Sequence, residues 1–386
     1  MQNKHARIYS AVSCNLDQPL LQATLPLFSS EKIDAIEWSF DTLRDVRNIP
    51  EWFVELLKTY GDSGRLIGHG IYFSIFSGKW STEQADWLKH LEKVSSNFKF
   101  DHITEHFGFM SGADFHKGAP ISVPYNASTL ALGIDRLKRI QQACQCPVGL
   151  ENLAFSYSLD EVKKHGEFLA ELIEPVNGFI ILDLHNLYCQ LQNFSLDFET
   201  LIRAYPLDRV REIHISGGSW ELSDVTPQRT IRRDTHDDAV PVEVFELLKK
   251  SLPLCPNIKF VVMEQLGTAL HEPQSQQQFQ HDFETMQRIV NTFSEQRNEQ
   301  NKTLFTPNSF LPEALFQLPE TVLQDQDLYQ QQLDLSAILE HALNYQDAAQ
   351  KLRQSSLKNS DWNIESWSPH MLETALQIAQ KWKNGW

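Results

Sequence analysis

The chain has 386 residues, 41% of them hydrophobic, enough for one large barrel or two domains with a sizeable core. Its 50 acidic residues against 34 basic ones leave a net charge of −16 at pH 7, which argues against a nucleic-acid backbone as the main partner. No run approaches the roughly 20 apolar residues of a membrane span, and the opening MQNKHARIYSAVSCN carries no apolar segment of signal-peptide length, so a cytoplasmic protein with no membrane partner is expected.

In chain order, β-branched and aromatic runs bounded by turn residues predict eight strands, over 6–13, 33–40, 65–73, 100–107, 147–154, 178–185, 210–216 and 259–265. Helical periodicity fills most of the intervals, at 82–97, 128–143, 158–173 and 241–252. Strands alternating with helices imply right-handed βαβ units and a parallel sheet. Eight such units close into a (β/α)8 TIM barrel of the α/β class. The polar, aperiodic stretch 291–303 marks a boundary, which gives a barrel unit over 1–295 and a small helical C-terminal extension over 304–386. Within the extension the helical pattern is clearest at 334–354 and 368–386. Its tryptophans Trp362, Trp367, Trp382 and Trp386 either pack it onto the barrel or offer anchors for a docking partner or peptide.

Five cysteines scattered at 14, 144, 146, 189 and 255 make no disulfide framework in a chain of this size, and a reducing compartment is expected. The CQC at 144–146 lacks the second pair of ligands that a structural zinc site needs. The basic strip RTIRRD (229–234) reads either as a solvated loop or as a contact for an anionic substrate.

Active sites on this fold sit where the carboxyl ends of the strands meet the βα loops. In this chain those ends carry Glu37, His69, His106, Glu151, Asp183, His214 and Glu264, and the loop after the seventh strand adds Asp234 and His236. A lone buried histidine or acid is usually a hydrogen-bonded structural residue. Here seven of eight strands end in one, and all the ends surround one axial cavity. Packing so many carboxylates together is costly without compensating cations or protons. Nine candidate ligands exceed what one metal needs and point to two or three ions with bridging carboxylates. Imidazole with carboxylate suits iron, zinc or manganese. A zinc or manganese TIM barrel of the endonuclease IV or sugar isomerase type, acting as hydrolase or isomerase, is one reading of such a cluster.

Seven motifs in order, GHGIYFSI (68–75), TEHFGFM (104–110), LENLAF (150–155), LDLHNLY (182–188), EIHISGG (212–218), DTHDDAVP (234–241) and MEQLG (263–267), resemble the DUF692 family over residues 6–290. That family, the multinuclear non-heme iron-dependent oxidative enzymes, includes the methanobactin biosynthesis oxygenase. The resemblance implies a non-heme iron oxidoreductase with two or three ions, mixed ferrous and ferric. It implies dioxygen as co-substrate, and a substrate residue, cysteine first, in a ribosomally synthesised precursor peptide. A separate peptide-presenting protein serves many members. Carried over, it makes His69, His106, Glu151, Asp183, His214, Asp234, His236 and Glu264 the metal ligands. Asn152 and Asn186 would orient those ligands through hydrogen bonds. At His185 the chain departs from the commoner DVNN-like run, and a further ligand, a hydrogen-bonding support or a substrate contact is expected there. Strand alternation would let Asp183 and His185 both face the axis.

Overall fold

Eight strands close a barrel in the computed structural model, which describes residues 7–43, 48–110, 118–299, 309–312 and 316–383. They are β1 (Tyr9–Ser13), β2 (Ala35–Trp38), β3 (Leu66–His69), β4 (Ile103–His106), β5 (Val148–Glu151), β6 (Phe179–Asp183), β7 (Val210–Ile215) and β8 (Phe260–Met263). All neighbours pair in parallel, and β1 bonds to both β2 and β8, so the sheet has no open edge. The fold is the expected TIM barrel. Its outer layer and loops hold α1 (Gln18–Ser29), α2 (Glu51–Asp62), α3 (Thr82–Asn97), α4 (Ala127–Cys144), α5 (Leu159–Ile173), α6 (Leu184–Phe194), the short α7 (Phe198–Ile202), α8 (Val242–Ser251) and α9 (Pro273–Glu299). Side chains cap several helix starts: Ser81 and Gln84 form a capping box on α3, and Asn126 and Thr129 form one on α4.

Side-chain alternation divides each strand between two environments. Ile36, Trp38, Leu150, Ile180, Leu182, Ile213 and Met263 face the helices in the main core. Ala11, Ala35, Ile67, Phe260 and Val262 form a small separate core inside the barrel. Gly149 belongs to that interior for lack of space: a Cβ there would stand 2.5 Å from the Phe179 ring. The apolar filling covers only part of the barrel's depth. Toward the amino ends of the strands His102, Arg211 and Glu212 are buried, and Phe310 packs under the barrel against Phe179 at 5.6 Å. The carboxyl ends are left to charged residues.

Three features differ from the sequence reading. The sixth strand stops at Asp183, whose carboxylate accepts from the Asn186 N–H at 2.5 Å and so caps α6. The alternation argument for His185 therefore does not apply, because His185 lies in the first turn of a helix. Secondly, α9 runs through the stretch read as a boundary as far as Glu299. Thirdly, two antiparallel ribbons were not foreseen, Phe109–Met110 with Pro120–Ile121 and Trp220–Leu222 with Thr230–Arg232. No described helix is long and apolar enough to cross a membrane.

Past α9, the helices α10 (Gln326–His341), α11 (Tyr345–Leu352) and α12 (Pro369–Trp382) lie against the barrel loops. Gln332 bridges to the loop after β3, accepting from the Gly78 N–H at 2.9 Å and donating to the Phe76 carbonyl at 2.7 Å. Arg136 of α4 donates to the Leu323 carbonyl at 2.8 Å. Trp367 stacks on Tyr157 with ring centroids 3.7 Å apart, and its indole N–H donates to the Trp362 carbonyl at 2.9 Å. Trp362 and Trp367 are buried, so they pack the segment onto the barrel, while Trp386 lies outside the described residues. Truncating Trp367 to alanine removes a buried indole and should cost about 3–5 kcal/mol, read as a lower midpoint in urea denaturation. A loss below about 1 kcal/mol would show that this contact does not hold the segment in place.

Candidate metal centre

At the mouth of the barrel, alternation and strand length aim one polar side chain inward from almost every strand end. Glu37, His69, Glu151, Asp183 and His214 are buried there, and His106 and Glu264 are partly exposed. Their ligand atoms converge in groups that can each hold a cation: His69, His106 and Glu151 in one, Glu151, Asp183, His214 and Glu264 in a second, and Glu37 and His214 with Glu212 in a third. Glu151 is common to the first two. One Glu151 oxygen lies 3.4 Å from the Nε2 atoms of His69 and His106, and the other is 3.9 Å from His214 Nδ1. A carboxylate so placed can bridge two ions.

The histidine rings are fixed from behind, which decides the nitrogen each presents. His106 Nδ1 lies 3.2 Å from the Gly70 carbonyl, an acceptor only, so it carries the proton and Nε2 faces Glu151 bare. His69 Nδ1 lies 2.8 Å from the Thr104 hydroxyl, which donates its own hydrogen to the Gly68 carbonyl at 3.3 Å. The Thr104 oxygen therefore accepts from His69. His214 Nε2 lies 3.2 Å from Glu212, which is itself held by His102 at 2.6 Å. That leaves His214 Nδ1 pointing at Glu264, 3.2 Å away.

Asn152 and Asn186 hydrogen-bond to residues of these groups. The Asn152 side chain brackets the Asp183 backbone, accepting from its N–H at 2.6 Å and donating to its carbonyl at 3.1 Å. Asn186 donates to Glu151 at 3.2 Å and to the Asn152 carbonyl at 2.8 Å. Asp234 and His236 stand beside the second group. His236 Nε2 lies 3.0 Å from Asp234, its Nδ1 lies 3.9 Å from Glu264, and its backbone is left-handed at φ 52°. His185 is enclosed: Nδ1 donates to Asp234 at 2.9 Å and Nε2 accepts from Arg232 at 3.0 Å. With both nitrogens occupied, His185 supports Asp234. Asp237 and Asp238 are exposed and bond locally, to the Thr235 hydroxyl and the Ala239 N–H.

Electrostatics tests whether cations fit. Burial, then the charges of Glu151 and Asp234, push the Asp183 carboxyl well above the usual carboxylate range. Burial lifts Glu37 to about 7 against the pull of His214. Burial would lower His69, yet its hydrogen bond to Glu151 and the charges of Glu37, Glu151 and Glu264 lift it to about 10. Protons thus hold the place of positive charge among crowded acids. Asp183 Oδ2 and Asn186 Oδ1 are buried here without a hydrogen-bond partner, while His214 meets Glu37 and Glu264 only as ion-pair contacts at 3.2 Å. Orphaned ligand atoms converging in one spot are costly unless an ion meets them. The donor set is nitrogen and oxygen only, which suits a first-row divalent metal. The residues fit a multinuclear centre.

A cavity of about 470 Å³ opens over this cluster. His69, His106, Glu151, Asp234, His236 and Glu264 line its floor, Leu153, Phe155 and Met110 line one side, and Met371, Thr374, Ile378, Lys381 and Trp382 of α12 line another. Ser223 and Asp224 hold α12 in place through Glu373, and Arg233 donates to Gln377 at 3.0 Å. Sequence reasoning did not foresee this wall, nor Thr104, His102 and Glu212 behind the histidines. Glu212 was detectable, since it lies two residues before His214 on the same strand face.

The family model described as "RiPP precursor modification enzyme MbnB/TglH/ChrH" matches residues 47–267. A UPF0276 protein of Caulobacter vibrioides is 26% identical over 181 residues, covering 46% of this chain and 61% of that one. A UPF0276 protein of Acaryochloris marina is 27% identical over 187 residues, covering 48% of this chain and 64% of its own length. The chain thus spans about three fifths of the length of these relatives. Among solved structures, an L-ribulose 3-epimerase superposes with a TM-score of 0.47 at 12% identity, covering 78% of this chain and 100% of that one.

Two substitutions probe the centre. Glu151→Ala removes an atom from the two groups that share it and should lower bound metal by more than one ion per chain in elemental analysis, whereas loss of one ion or none would show that Glu151 does not bridge. Thr104→Val keeps the packing but removes the acceptor behind His69, and should weaken metal binding about tenfold; an unchanged affinity would remove Thr104 from the account.

Proposed function

The chain belongs to the family of RiPP precursor modification enzymes MbnB/TglH/ChrH, and from that premise we propose that it is a multinuclear iron enzyme which uses dioxygen to modify a residue, cysteine first, in a ribosomally made precursor peptide. The observation that carries the proposal is the pair of buried ligand groups sharing Glu151 beneath one cavity. His69, His106 and Glu151 would hold one ion, and Asp183, His214 and Glu264, with Glu151, a second. Asp234 and His236, whose ligand atoms lie 3.0 Å apart, would hold a third. Iron, when bound, supplies redox chemistry and an open position for dioxygen and the substrate thiol.

The rest of the work falls to the protein. Hydrogen bonds behind His69, His106 and His214 fix ring direction, so ligand geometry is set before any substrate arrives. Asn152 and Asn186 hold Asp183 and Glu151 in register with one another. Leu153, Phe155, Met371 and Ile378 give the cavity apolar walls, which strip water from an entering side chain and strengthen polar contacts at the floor. A cavity of about 470 Å³ admits a short stretch of peptide, so the substrate should enter extended.

The test is direct. Protein loaded anaerobically with ferrous iron and incubated with a cysteine-containing precursor peptide should leave its mass unchanged, and admission of air should produce a mass change at the cysteine. Modification without dioxygen would contradict the oxidative assignment.

A further inference from the structure

Arg232 stands apart from the other cations of this acidic chain. It ends the strand Thr230–Arg232, is 5% exposed, and lines the cavity together with Asp234 and His236. Asn193 clamps its backbone at both polar atoms, accepting from the N–H at 2.8 Å and donating to the carbonyl at 3.0 Å. Its guanidinium carbon lies 5.6 Å from the Tyr188 ring centre and 5.4 Å from that of Trp220, which is its register partner in the ribbon. Gly218 permits the close approach of this ribbon to α6, since a Cβ there would meet His185 at 2.8 Å. The guanidinium is thus rigidly placed.

Its charge is unanswered. Among the described residues Arg232 forms no ion pair with a carboxylate, and the one hydrogen bond from its guanidinium runs from Nε to His185. Among the described residues neither terminal nitrogen makes a hydrogen bond, and the residue lines the cavity. A buried guanidinium without a counter-ion is costly, and contacts to two aromatic rings offset only part of that cost. The neighbouring Arg233 also lines the cavity, but its charge is paired with Glu221.

We propose that Arg232 is a substrate-recognition residue that binds a carboxylate, and that the peptide taken by this site carries one close to the residue modified. With Nε committed to His185, the free edge offers parallel N–H groups in one plane, the geometry that a carboxylate matches with two hydrogen bonds. Lys381 of α12 lines the same cavity and adds positive charge to it. The carboxylate is either the C-terminus of the peptide or an acidic side chain beside the modified position. The word peptide rests on the function proposed above; the carboxylate preference rests on the guanidinium alone.

Three probes without cysteine separate these points: N-acetyl-Ala-Ala with a free carboxylate, the same compound as its C-terminal amide, and the amide of N-acetyl-Ala-Glu. Binding to the metal-loaded protein is measured by calorimetry for wild type, Arg232→Met and Arg232→Lys. The wild type should bind the acid at least about tenfold more tightly than the neutral amide, the ratio expected of a charge-assisted pair. Arg232→Met should bring that ratio to near one with bound metal unchanged, and Arg232→Lys, which keeps the charge but loses the parallel donors, should lower it. Glutamate-amide binding at the level of the acid assigns the site to an acidic side chain, and binding at the level of the neutral amide assigns it to a C-terminus. An acid-to-amide ratio near one in the wild type overturns the proposal without recourse to any variant. So does a ratio that survives Arg232→Met, with or without a fall in metal content, which would make Arg232 a support for His185 only. A protein that prefers the acid yet modifies no cysteine peptide would keep this site and lose the proposed function.

Discussion

Like charges crowded into a buried space set the terms for this structure. Glu37, Glu151, Asp183 and Glu264 approach one another at the mouth of the barrel, with Glu212 buried behind His214. Such an arrangement folds only with positive charge among the acids. Histidines supply it in part: the charges around His69 and His236 hold both at about 10 despite their burial. Cations would supply it better, because they also meet the Asp183 Oδ2 atom, which has no hydrogen-bond partner. Metal binding and stability at this site are therefore coupled, with protons released as ions enter.

The polar layer does not stop at the ligands. His214 rests on Glu212, Glu212 on His102, and His102 on Asp101, which Arg211 pairs at 2.7 Å. A continuous column of acid and imidazole thus crosses a barrel interior that other sequences fill with branched apolar side chains. The column ties the orientation of one candidate ligand to residues at the opposite end of the sheet. The segment beyond α9 is placed at both ends of the same axis, with Phe310 beneath the barrel and α12 beside the cavity.

Much of this was legible along the chain. Seven strand ends could be read because a period-two pattern and a turn signal locate the last inward-facing residue of a strand, and the TIM-barrel geometry brings those residues together. The reading of DLHN went astray for an identifiable reason. Asp183 is at once the end of a strand and the cap of a helix, and the helical spacing of Leu184, Leu187, Tyr188 and Leu191 competes with an apolar run that looks like more strand. What local pattern could not show were contacts between distant segments. Nothing near Met371 or Ile378 announces that they will stand beside Leu153, and RTIRRD gave no sign of which arginine would be buried, because ribbon pairing with Trp220 decides it. The support of His69 by Thr104 likewise depends on the register of β3 against β4.

The central claim, that the acids and histidines of the barrel mouth hold iron in a multinuclear centre, is tested most directly by the metal itself. Protein purified without air from iron-supplemented cells would be assayed by elemental analysis together with Mössbauer spectroscopy. The account predicts roughly two or three irons per chain, some ferrous and some ferric, in nitrogen and oxygen coordination. Stoichiometric zinc or manganese without iron would contradict it and return the barrel to hydrolase or isomerase chemistry.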